Sequence, residues 1–282
     1  MKDTKQHLSI DIDKVIASKS RNLAKYTPKF LINWIKRIVH QDELNQMLEY
    51  NADKEGAEFA KGTLEYLNVS AKMTLLNKES LKKDGRYIFV SNHPLGGLDG
   101  LILINELGSI MGDIKFVVND LLLNVKPLEP IFVPVNKHGK MSKHYGELIN
   151  NAYSSNSQIL YFPAGLCSRL IKGKVTDTPW QKNFLRQALK YNRDIVPIYF
   201  GGENSSFFYK LSKFRKMIGI KFNIEMIFLP DEMIRKKSSI FDVVIGEPIN
   251  IETLRKEQKE GKKLDTLCTS IREISYNLKK HI

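Results

Sequence analysis

The sequence predicts an α/β fold in which a central mixed sheet is flanked by helices, with an amphipathic helical N-terminus and a helical C-terminus. Short apolar runs alternate with stretches of helical spacing, and most of the runs stop at a proline or a glycine. Polar, chemistry-bearing residues follow several of those stops, and in α/β folds sites gather outside strand ends.

The N-terminus, MKDTKQHLSIDID, lacks the apolar region of a secretory signal. No uninterrupted apolar stretch approaches the roughly 18 residues of a membrane span. The chain is therefore expected neither to cross a bilayer nor to be secreted by a recognisable signal. In Tyr26 to His40, Thr27 can cap and Pro28 can open a helix on which Leu31, Trp34, Ile35 and Ile38 share a face. Lys29, Lys36 and Arg37 supply charge, and a basic amphipathic helix with tryptophan suits a lipid interface as well as a packed core.

The first strand runs from Tyr87 and ends at His93-Pro94, because the residue before proline is disfavoured in the α region. Helical spacing follows in LDGLILINELG from Leu98. Lys115 to Asp120 and Ile131 to Lys137 are further strands. Gln158 to Phe162 is another, closed by Pro163, and Arg193 to Gly202 reads as a central strand interrupted by Pro197 and followed by a glycine pair. Ser205 to Gly219 interleaves Phe207, Phe208, Tyr209 and Phe214 with Lys210, Lys213, Arg215 and Lys216, a second segment suited either to an interface or to the core. Lys263 to Ile282 places Leu264, Leu267, Cys268, Ile271 and Leu278 at helical spacing, a packing helix with a solvated basic face.

The segment YIFVSNHPLGGLDG, Tyr87 to Gly100, carries the most chemistry. His93 arrives at a strand end, Gly96 and Gly97 let the backbone fold back, and Asp99 falls near the start of the next helix. A carboxylate there can receive the ring N–H of His93, fix the tautomer and leave the other nitrogen free to accept a proton. The alternative is a buried histidine in a turn. Past the strand at Gln158, Gly165 marks a tight turn that leads to Ser168 and Arg169.

SNHPLGGLDG, IFVPVNK, FPAGLCSR and DIVPI, in this order and at this spacing, resemble the motif blocks of the glycerophospholipid and lysophospholipid acyltransferase superfamily, the relatives of 1-acylglycerol-3-phosphate acyltransferase. The closest likeness is to its hemolysin-like branch, which includes N-acyltransferases making bacterial ornithine and glycine lipids. The resemblance spans Met73 to Glu247 and implies a catalytic domain over residues 73–250. Residues 1–72 would then form an N-terminal helical region for membrane interface and packing, and residues 251–282 a C-terminal packing helix. Compared with the family pattern, His93 and Asp99 have five residues between them where four are usual, so their pairing calls for a different turn. Phe162, Pro163, Ala164, Gly165, Leu166, Cys167 and Ser168 stand where Phe-Pro-Glu-Gly-Thr-Arg-Ser is usual. By resemblance Gly165, Ser168 and Arg169 shape the acceptor pocket, and Lys137 or Lys140 supplies the charge that an arginine gives in the second block. A guanidinium at Arg169 offers a bidentate fork to a phosphate or carboxylate.

The resemblance implies acyl transfer from a thioester, on acyl carrier protein or CoA, to a bound amine or hydroxyl. His93 is the expected general base, Asp99 its orienting partner, and the N–H groups around Gly96 and Gly97 the expected oxyanion donors. No metal-ligand spacing occurs among the six histidines and two cysteines, and no cofactor is implied. Cys167 lies in a motif block, yet no motif places a base beside it, which favours a small packing residue over a nucleophile. With 44 basic against 31 acidic residues, a formal charge of +13, the partners are expected to be anionic. An anionic membrane surface, met through Trp34, Phe207, Phe208 and Phe214, is the favoured one, with a cytoplasmic location on the inner face of the cell membrane. No nucleic acid is expected, since no recognisable module organises the aromatics. A serine or cysteine hydrolase would need an elbow that GLCSR does not supply. Loss of the arginine-rich third block favours the amine of a small amino acid, glycine or ornithine, as acceptor, with lysophosphatidic acid as the alternative.

Overall fold

Each apolar run forms a strand because its side chains are covered on both faces of a parallel sheet, where alternation is not needed. The computed structural model describes residues 8–19, 25–119, 125–135 and 143–282. Helices α1 (Ile12–Lys19), α2 (Lys29–Ile38), α3 (Gln41–Tyr50) and α4 (Gly56–Leu67) lead into β1 (Ser70–Leu75). Then come β2 (Tyr87–Ser91), α5 (Leu98–Met111), β3 (Ile114–Asn119), β4 (Phe132–Val135), α6 (Lys143–Ser154) and β5 (Gln158–Tyr161). A hairpin of β6 (Arg169–Ile171) and β7 (Lys174–Thr176) precedes α7 (Asn183–Tyr191), β8 (Asp194–Phe200), α8 (Ser206–Met217) and the short α9 (Leu229–Ile234). The chain closes with β9 (Ile240–Ile245), α10 (Ile251–Lys259) and α11 (Leu264–Asn277).

The main sheet has the order β1-β9-β8-β2-β5-β3-β4. Strand β2 pairs in parallel with β5 and β8, and β3 pairs in parallel with β5 and β4. Strand β9 runs antiparallel to β8, and β1 runs parallel to β9, so the sheet is mixed as expected. Pro197 sits inside β8 without breaking it. Its carbonyl accepts Gly246 N–H on the β9 side, so the donor it lacks faces the place where β9 ends and not the β2 ladder.

Alternate residues of each central strand feed opposite layers. Phe89, Leu160 and Val196 pack with Phe59 and Leu64 of α4 and Ile102 and Leu103 of α5. On the other face, Ile88, Val90 and Ile159 pack with Tyr153 of α6, Phe184 of α7, Leu254 of α10 and Ile271 of α11. Residues 251–282 thus hold two helices, α10 and α11, and not the single packing helix expected, with Leu267, Cys268 and Ile271 of α11 turned to this layer.

At the N-terminal ends of the strands, Arg193 is wholly buried and gives every N–H it can to main-chain carbonyls: Nε to Tyr153, Nη1 to Ser157 and Tyr87, and Nη2 to Ala152 and Ser155. Burial, helped by the nearby Arg86 charge, pulls its pKa down to about 10. Gln158 works beside it, accepting Tyr87 N–H and donating to the Gly85 carbonyl.

Helix α2 differs from expectation at its start and in its faces. Pro28, in extended conformation, is the N-cap residue, with no side-chain cap bond there. Ile32 is the buried residue, packing with Ile12 and Val39, while Phe30, Leu31 and Trp34 face outward. Among the described residues, no helix is long and apolar enough to cross a membrane.

Candidate active site

The C-terminal ends of β2, β5 and β8 converge on one edge of the sheet, and His93 stands just beyond β2. Its Nδ1 lies 3.0 Å from Oδ2 of Asp99, which is fully buried in the first turn of α5. The same oxygen accepts Leu95 N–H at 2.9 Å and Gly96 N–H at 3.4 Å, and Oδ1 accepts Gly100 N–H at 2.9 Å. These bonds show how the longer loop closes: Pro94 to Leu98 wrap around the carboxylate. Gly96 has φ +91°, where a Cβ would also come within 2.9 Å of the Leu229 methyls. The His93 ring stacks on Phe162, with centroids 4.0 Å apart and planes 20° apart. With Nδ1–H donated to a carboxylate, Nε2 carries the lone pair, the state a proton acceptor needs.

Gly96 N–H is thus committed to Asp99, and Gly97 is the N-cap of α5, whose N-terminus carries the positive end of a helix dipole.

The third block folds under this loop. Ser168 N–H donates to the His93 carbonyl at 2.7 Å, which joins the two blocks. Gly165, with φ +64°, makes the turn, closed by its N–H to the Phe162 carbonyl at 3.0 Å. Arg169 is placed otherwise than expected. Its guanidinium is buried, bonded to Glu225 at 3.0 Å and to the Cys167 carbonyl at 2.7 Å, and it lies over the Phe208 ring. Glu225 is also paired with Arg215 at 2.8 Å, so one buried carboxylate serves two guanidinium groups. Such a buried cluster anchors the turn and does not present Arg169 as an open fork. Cys167 is fully buried, its thiol pushed up to about 11 by desolvation against the neighbouring Arg169 charge, as befits a packing residue and not a nucleophile.

Phe208 does not belong to the exposed set. It is fully buried against Cys167 and Tyr209, because adjacent positions on α8 point about 100° apart. Phe207 and Phe214 are 53% and 52% exposed, and Trp34 is 49% exposed. Trp34 and Phe207 both meet Phe228, at 6.3 Å and 4.9 Å between centroids. The two segments expected separately from the sequence therefore form one apolar face, which continues through Leu229 to Gly96 of the His93 loop. Lys137 and Lys140 lie outside the described residues.

Two further residues hold the site together. Asn92 clamps the ends of β2 and β8, its Oδ1 accepting Phe200 N–H at 2.7 Å and its Nδ2 donating to the Phe200 carbonyl at 2.8 Å. Asp177, in the loop after the β6–β7 hairpin, accepts Ser168 Oγ–H at 2.6 Å, His93 N–H at 3.2 Å and Trp180 Nε1–H at 2.9 Å. Its pKa is raised by burial, against the pull of those bonds. The signal was a carboxylate before Thr178, Pro179 and Trp180, but nothing local tells which loop it serves.

A strand-end His-Asp pair joined to a second polar loop is an arrangement for proton-assisted transfer, and comparison with known proteins specifies the group transferred. A family model described as acyltransferase matches residues 14–282, and the chain belongs to that family. Similar proteins include a lyso-glycine lipid O-acyltransferase of Bacteroides thetaiotaomicron, 44% identical over 250 residues, covering 88% of this chain and 91% of that protein. A second lyso-glycine lipid O-acyltransferase, from Phocaeicola vulgatus, is 42% identical over 248 residues, covering 88% of each. The crystal structure of the 1-acyl-sn-glycerophosphate acyltransferase PlsC from Thermotoga maritima aligns with a TM-score of 0.49 at 15% identity, over 89% of this chain and 88% of that one.

Proposed function

We propose that this acyltransferase moves an acyl chain from a thioester to the hydroxyl of a lyso-glycine lipid, with His93 as general base. Acyl transfer in lipid biosynthesis is common ground between the family and both named relatives. The observation that carries the chemistry is the His93 Nδ1 to Asp99 contact at 3.0 Å, which leaves Nε2 as the proton acceptor. O-transfer to a glycine lipid revises the expected amine acceptor: the glycine head group stays, and the acylated atom becomes oxygen. A neutral hydroxyl also has more need of a base than an amine, whose lone pair is free once its proton is lost.

In this reading the acceptor O–H gives its proton to Nε2 as the oxygen attacks the thioester carbonyl. The tetrahedral oxyanion is stabilised by the N-terminus of α5 at Gly97, and its collapse expels the thiolate, which takes the proton back from the imidazolium. Acyl carrier protein and CoA are both donors to be tried. The acceptor is a lipid, and the exposed aromatics Phe30 and Trp34 of α2 and Phe207 and Phe214 of α8, on helices that also expose Lys29, Arg37, Lys210 and Lys213, are suited to an anionic bilayer surface.

The test is to incubate the purified enzyme with each acyl thioester and, separately, lyso-glycine lipid, glycine, ornithine and lysophosphatidic acid, and to weigh the products by mass spectrometry. Diacylated glycine lipid is expected; product from lysophosphatidic acid or a free amino acid alone overturns the acceptor. Binding to anionic vesicles should weaken as salt is raised, and unchanged Trp34 emission with no vesicle binding at low salt would remove the membrane face from the reading.

A further inference from the structure

We propose that Asp177 is a positioning residue for acyl transfer, holding the His93 peptide and tying it to Ser168 so that Nε2 meets the acceptor in one place. The inference rests on the reading of His93 as the base.

The reason lies in where His93 stands on the main chain. The β2 ladder ends at Ser91, α5 has not begun, and Pro94 follows, so neither strand nor helix supplies a partner for His93 N–H. Oδ1 of Asp177 supplies it at 3.2 Å. That oxygen also accepts Ser168 Oγ–H at 2.6 Å, and Ser168 N–H returns to the His93 carbonyl at 2.7 Å. The three bonds form a closed ring through three loops, and both polar groups of the His93 main chain are used in it. Asp99 orients the imidazole; Asp177 sets the backbone from which the imidazole hangs.

Asp177 is itself held. Oδ2 accepts Trp180 Nε1–H at 2.9 Å, its own N–H donates to Tyr276 Oη at 2.8 Å, and its carbonyl accepts Arg272 Nη2 at 3.2 Å. Tyr276 and Arg272 belong to α11, so the ring is moored to the C-terminal helix on the far layer of the sheet. A carboxylate fits this position because three side-chain and main-chain donors converge on it. An asparagine must turn an NH2 group toward one of them, and a serine has too few lone pairs. Catalysis by a positioned base is sensitive to such anchoring, since a shift of about 1 Å costs on the order of 10²-fold in rate.

The test compares Asp177→Asn and Ser168→Ala in the full-length enzyme, each also in a His93→Ala background, with kcat and KM measured for donor and acceptor. Asp177→Asn should lower kcat by about 10- to 100-fold with both KM values within about twofold, and Ser168→Ala should lower the same parameter by less. In the His93→Ala background Asp177→Asn should leave the residual rate unchanged, because its effect passes through His93. Wild-type kcat for Asp177→Asn, a loss confined to KM, or an equal fold loss with and without His93 would each overturn the proposal. If Asp177→Asn does not fold, adding Trp180→Phe removes the donor that would face the new amide; should that also fail, an unchanged kcat in folded Ser168→Ala overturns it. Normal turnover by His93→Ala alone would defeat the base reading, and with it this one, whatever Asp177→Asn does.

Discussion

The two ends of the parallel strands bury charge in opposite ways. At the N-terminal end, Arg193 spends its guanidinium on carbonyls of β2, of the last turn of α6 and of the loop after it, with every donor group used. At the C-terminal end, Asp99 and Asp177 collect N–H and O–H donors, and the group they frame, the His93 imidazole, keeps one nitrogen without a partner among the described residues. A saturated charge stabilises; a ring nitrogen left one bond short is what the proposed base requires. The same sheet thus carries a clamp at one end and the proposed site at the other.

Three substitutions sharpen this contrast, in descending size of effect. His93→Ala should lower turnover by about 10² to 10⁴-fold while thermal unfolding stays within a few degrees of wild type, because the ring lies beyond the strand and only partly inside the core. Near-normal turnover in a folded protein would break the assignment. Arg193→Met should do the reverse: orphaned carbonyls at the closed end should cost about 3 kcal/mol in denaturant unfolding, with kcat per folded molecule unchanged. A fall in kcat without loss of stability would mean that the two ends are not separable. Cys167→Ala should change turnover by less than about twofold and stability by about 1 kcal/mol, since its thiol is buried and protonated. Abolished turnover there would restore a nucleophile to the site.

What the sequence made legible follows the same division between local and distant. Strands β2, β5 and β8 announce themselves because burial on both faces makes them continuously apolar, whereas β1 and β9 carry Lys72 and Asp242 on partly exposed strands and pass for loop. The His93–Asp99 pair was visible because its members are six residues apart on one turn. Asp177 reaches His93 across 84 positions, and Glu225 reaches Arg169 across 56, distances over which no spacing rule operates. Hence Arg169 looked like an anion contact: its type was readable, but the carboxylate that consumes it was not. Phe207 and Phe208 show the limit at the shortest range, since sequence names two adjacent aromatics without saying which one turns inward.

The strand order also governs when the enzyme becomes complete during synthesis. Strand β2 waits for β5 and β8, β1 waits for Ile240 to pair with Ser70, and the His93 loop waits for Asp177 and for Tyr276 behind it. Nearly every pairing in the sheet is long-range, a topology that folds slowly because chain closure precedes its reward. A nascent chain therefore carries unpaired strand edges beside its apolar helices until those distant partners have been made, and Asp177 lacks its Tyr276 bond until α11 has formed.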